Sequence, residues 1–155
     1  MNKHILRTAC VCILASVFLL AGCTTPLHTP PTQAANAAYS YYLKNRQNVN
    51  VSTVAALLSY TSSHISRNPI RTWEGYDEYF EKYIQQVRKR GMVHENYPAV
   101  ASKYDIRAYR RFVQEWRKEC RAHRMKPAAA GRDFANSAAS LIYQLLEKEY
   151  DRDTR

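Results

Sequence analysis

The chain carries few residues whose types and spacing could do covalent or metal chemistry. His28, His64, His94 and His123 are far apart, and none falls in an H-E-x-x-H or comparable metal-ligand spacing. Cys120 and His123 stand three apart, but two side chains fall short of the ligand set that a zinc ion needs. The reading is therefore a core thiol beside a solvated imidazole, with no metal. Glu115 and Glu119 lie one helical turn apart, the placement of an acid/base pair. Each is flanked by Arg or Lys, however, so a surface ion-pair network is expected. There is no G-x-S-x-G elbow and no S-x-x-K, and only four glycines in the whole sequence, so no loop can cradle a phosphate. No catalytic residue is assigned, and a binding role is expected.

The remaining reactive side chain is Cys23. It closes an apolar run from Ala9 to Ala21 that follows the positive charges of Lys3 and Arg7, the layout of a signal peptide. The run is too short for a membrane span, which needs roughly 20 apolar residues. The residues Leu20-Ala21-Gly22-Cys23 resemble the lipobox of bacterial lipoproteins. In that family the cysteine thiol is diacylglycerylated, a peptidase cuts before it, and the new amine is often acylated. The resemblance implies a cleaved segment 1–22 and covalent lipid on Cys23, with no other cofactor. Thr24, in place of Asp after the cysteine, implies sorting to the outer membrane in a diderm cell. Each buried CH₂ contributes about 0.8 kcal/mol, so two or three chains hold lastingly where one does not.

Losing 1–22 removes Lys3 and Arg7, leaving 21 basic against 13 acidic side chains and a formal charge of about +8. Such a surface selects anionic partners: headgroups, lipopolysaccharide, another anionic envelope component, or an acidic envelope protein. Nucleic acid is not the partner expected at that location. Cys10 and Cys12 leave with the leader, so Cys120 is the one free thiol in the mature sequence, and its position on an apolar seam predicts burial.

Residues 23–33, with Pro26, Pro30 and Pro31 and no charge, read as a flexible tether. The domain beyond it, 34–155, is expected to be all-α, a small bundle of four to five helices, two of them short. Ala34 to Arg46 has Ala-rich helix propensity, with Ala38, Tyr42 and Leu43 available to a core. Ser52 or Asn50 can cap the next helix, whose Val54, Leu57, Leu58 and Ile65 share a face until Asn68-Pro69 ends it. Val49-Asn50-Val51 alternates like a strand but is too short to form one. Thr72 to Arg90 places Trp73, Tyr76, Phe80, Tyr83, Ile84 and Val87 together, with Gly91 as its stop. A connector, 92–104, precedes the clearest periodicity: Ile106, Tyr109, Val113, Trp116 and Cys120 step by three and four over Asp105 to Arg124. Lys126-Pro127 breaks that helix. The last one, Asp133 to Tyr150, carries Phe134, Ala138, Leu141, Ile142, Leu145 and Leu146. Twelve tyrosines combine apolar bodies with polar tips and are expected mostly in packing.

Away from the seam, Arg107, Arg110, Arg111, Arg117, Lys118, Arg121 and Arg124 form the candidate surface for an anionic partner. Arginine suits forked contacts with phosphate and carboxylate. The overall build also resembles the entry-exclusion lipoproteins of mobile plasmids, which reduce a recipient's uptake of a related plasmid. That resemblance carries no partner-binding residue across. Two other roles stand beside it: an accessory or structural subunit of an envelope assembly, and a small wall hydrolase.

Overall fold

The computed structural model describes residues 32–90 and 101–154. The lipobox, Cys23, the tether as far as Pro31, His28, Gly91, His94 and most of the connector lie outside them. Five helices account for most of the described residues: α1 Gln33–Asn45, α2 Val51–Arg67, α3 Trp73–Arg90, α4 Lys103–Ala122 and α5 Pro127–Asp153. No strand occurs among these residues, so the all-α reading holds.

Local chemistry sets each boundary. Thr32 caps α1 through a side-chain oxygen that accepts from the Ala35 amide, so the helix starts one residue earlier than expected. Asn50 caps α2 by accepting from Thr53 N at 3.1 Å. The apparent strand is explained by this cap: Val49 and Val54, both buried, stand at the two positions of a hydrophobic staple around Asn50. At α4, Ser102 and Asp105 form a reciprocal capping box.

Three expectations needed correction. Lys126-Pro127 does separate α4 from the last helix, but Pro127 also starts α5, ahead of the expected Asp133, because a proline at the first helical position gives up an amide that has no partner there. Ala128, Ala129 and Ala130 then extend the helix back from the expected Asp133. The α4 seam is also rotated: Asp105, Ala108, Tyr109, Phe112, Trp116 and Cys120 are buried, while Ile106 and Val113 flank the core. Leu43 and Leu146, assigned to core faces, are about half exposed.

Contacts between helices fix their directions. Ala34 N, at the start of α1, donates to Glu119 Oε2 near the end of α4 at 3.4 Å. Along the α3/α4 contact, Tyr83 meets Tyr109 and Trp73 meets Trp116, so those helices are antiparallel. Tyr60 stacks on Tyr83 and His64 on Tyr79, which makes α2 antiparallel to α3. Tyr76 of α3 donates to the Pro127 carbonyl at 3.1 Å, and Tyr42 of α1 donates to Glu149, so α5 runs with α3 and α1. Burial and that carboxylate push the Tyr42 phenol up to about 12. The result is an up-down-up-down-up bundle.

Its core is aromatic. Trp116 and Phe134 meet edge to face with ring centroids 5.0 Å apart, and Phe80, Phe112 and Tyr76 close around them. Such pairs contribute roughly 0.5–1.5 kcal/mol each beyond their burial. Gly131 lets α5 approach α2, because a Cβ there would lie 3.0 Å from Ile65 Cγ2 and 3.3 Å from the Tyr76 hydroxyl.

Candidate interaction surface

The seven cationic residues assigned to one surface separate into three groups. Arg107, Arg111 and Arg121 are exposed, recur with Lys118 on the outer face of α4, and make no ion pair with another described residue. Arg110 and Lys118 are engaged on the same helix surface, with Glu81 at 3.3 Å and Glu115 at 3.6 Å. At those exposures each pair adds at most a fraction of a kcal/mol, so both cations stay available to an outside anion.

Arg117 does not belong to that surface. Its side chain is only 12% exposed, its guanidinium lies 3.8 Å from the centre of the Trp73 ring, and its Nε lies 3.4 Å from Asp77 Oδ1. Position 117 sits at the α3 edge of α4, where an aromatic face and an acid receive it. Its work is to join α3 to α4 by a cation–π contact and an ion pair.

Arg124 lies beyond the α4 C-cap, with φ of 51°. The Met125 amide donates to the Cys120 carbonyl at 2.9 Å, closing a Schellman-type turn whose left-handed position usually holds glycine. An arginine there costs about 1 kcal/mol. Its exposed side chain makes no ion pair with another described residue, so nothing in the packing offsets that cost.

The residues weighed for catalysis are not gathered. Glu119 faces the first turn of α1, where a carboxylate complements the helix dipole, while Glu115 pairs with Lys118. Cys120 is buried, with Sγ 3.9 Å from Asp133 Oδ2, whereas His123 is exposed. Burial, then the neighbouring Asp133 and Glu119 carboxylates, push the thiol up to about 12. It is therefore protonated and inert at neutral pH. Maleimide should leave Cys120 unmodified in the native protein and modify it fully in denaturant; rapid native labelling would contradict this placement. Because the folded value exceeds the ordinary 9.0, the thiol's contribution to stability is present below pH 9 and declines as pH rises toward 12.

One buried and one half-buried carboxylate escaped the sequence reading. Asp105 Oδ1 accepts from Asn50 N at 2.7 Å and its Oδ2 from Ser102 N at 2.8 Å, so one side chain ties the α1–α2 turn to the start of α4. Asp133 accepts from Trp116 Nε1 at 2.8 Å, anchoring the central indole to α5. The spacing Ser102-x-x-Asp105 carried a signal for the first. Nothing in the spacing of Trp116 and Asp133 announced the second.

Among the described residues, no group of three or more His, Cys, Asp or Glu could hold a metal ion, and no helix is long and apolar enough to cross a membrane. Compared with family models, curated proteins and solved structures, the chain finds no match in any of the three.

Proposed function

We propose that this chain is a lipid-anchored envelope protein that acts by binding, attached through Cys23 to the outer membrane. One observation carries the reading: exposed cations occupy two connections at the end of the bundle where α1 begins. Arg67 and Arg71 flank the α2–α3 connection, while Arg121, Arg124 and Lys126 surround the α4–α5 connection. None of the five pairs with another described residue. Nine chain steps lead from Cys23 to Thr32, a reach of at most about 30 Å. An anchor at Cys23 thus keeps this basic end within reach of the bilayer.

Anionic headgroups are the contact this end suits, since each cation near such a surface contributes about 1 kcal/mol. The outer face of α4, with Arg107 and Arg111, remains for an acidic envelope partner. Exclusion of a related plasmid from a recipient cell is the biological role proposed for that contact.

Three measurements test the proposal. Cys23→Ser should abolish palmitate labelling and leave an uncleaved precursor; unchanged labelling and processing would remove the anchor. A chain starting at Thr24, without leader or lipid, should bind vesicles containing phosphatidylglycerol and not phosphatidylcholine alone. Replacing Arg124 by Gly should weaken that binding about fivefold while raising stability by about 1 kcal/mol. Equal binding to both vesicle types would refute the headgroup contact. Recipients expressing the intact protein should acquire the related plasmid less often than controls, and equal acquisition would refute exclusion.

A further inference from the structure

The last helix carries two seams. Ala130, Phe134, Ser137, Ala138, Leu141 and Leu145 face the core. On the opposite side Arg132, Asn136, Ala139, Tyr143, Leu146, Tyr150 and Asp153 step by four and three without a break, and all seven are exposed. That is the heptad pattern of a coiled-coil seam. Leu146 is 51% and Tyr150 71% exposed, an unusual outlay of large apolar surface on a small domain. The second seam is unrelated to the cationic end of the bundle, and self-association through it does not depend on the anchor.

We propose that this face of α5 is a self-association surface on which a second copy of the chain packs antiparallel. The two ends of the seam carry opposite charges, Arg132 at one and Asp153 at the other. Arg132 has no ion pair with another described residue, and Asp153 has only its neighbour Arg152 at 3.7 Å. Antiparallel pairing brings Arg132 of each copy to Asp153 of the other, twice per dimer. It also sets Ala139 against Leu146, small against large. Parallel pairing would instead oppose like charges at both ends and place Leu146 on Leu146, leaving Ala139 facing Ala139. The isologous arrangement also closes on itself, giving a dimer and not a fibre. The seam spans 22 residues, about 33 Å of helix, at the small end of specific interfaces. A reversible dimer is the consequence.

Detergent-solubilised full-length protein tests this directly. Sedimentation equilibrium should give a monomer–dimer equilibrium in the micromolar range. Leu146→Glu should shift it to monomer with an unchanged circular dichroism spectrum. Arg132→Asp should weaken the dimer about tenfold through two like-charge pairs, and adding Asp153→Arg should restore it. Copies bearing Ala139→Cys mixed with copies bearing Leu146→Cys should form the mixed disulfide in preference to either homotypic one. A protein that stays monomeric throughout, or homotypic Ala139→Cys disulfides in excess, overturns the proposal. So does a dimer indifferent to Leu146→Glu.

Discussion

Trp116→Ala should lower stability by about 3–5 kcal/mol, the range for removing a large aromatic from a core. Trp116 is fully buried, and its ring meets Trp73, Tyr76, Phe80 and Phe134, side chains from α3 and α5. The substitution empties the point where three helices converge. It also leaves the Asp133 carboxylate without its indole donor. A domain of this size has roughly 5–15 kcal/mol in total, so the variant should melt about 15 °C lower. Trp116→Phe should recover much of the packing while still losing the hydrogen bond to Asp133. The difference between the two variants therefore separates volume from polarity. A loss under about 1 kcal/mol for the alanine variant would mean that the aromatic cluster does not organise the core.

Asp105→Ala should destabilise the protein by about 3 kcal/mol for a different reason. The carboxylate is 2% exposed and accepts from two backbone amides belonging to different parts of the chain. Removing it takes the acceptor from two part-buried hydrogen bonds, and an unsatisfied donor costs up to about 1–3 kcal/mol. Asp105→Asn should recover part of the loss, because one carbonyl oxygen can still accept while its NH₂ faces a donor. Amide hydrogen exchange offers the sharper readout: Asn50 and Ser102 should exchange faster in the alanine variant than in the parent. Unchanged protection at both amides would rule out this bridging role.

Helix-rich architecture was legible because the apolar positions of α2 and α3 repeat with a helical period, and Asn50 and Asn68-Pro69 mark the ends of α2. The seam of α4 was read one step off. Periodicity alone favoured Ile106 and Val113, yet Phe112 fills the centre because its ring meets Phe134 from α5, and no single segment encodes that meeting. Pro127 stands between α4 and α5 as expected and also starts α5, and the second role depends on the alanines that follow it.

The candidate surface was legible as a composition and not as a face. Arg107, Arg111 and Arg121 stand where their spacing put them. Arg117 turns inward because Trp73 and Asp77, distant in the chain, provide its destination. Sequence spacing gives an angle around one helix and says nothing of which neighbour receives the side chain. The collection of cations from two separate connections at one end likewise depends on the alternating helix directions.

An odd number of alternating helices separates the first described residue from the last. Thr32 and Thr154 lie at opposite poles of the bundle, with the 27-residue α5 as the spacer between them, about 40 Å long. A fluorescent or affinity label joined after Thr154 would therefore ride at the pole away from Thr32, clear of the basic end. The same geometry makes the distance from that label to a bilayer a ruler: energy transfer to a membrane dye would report whether the bundle stands upright or lies on its side.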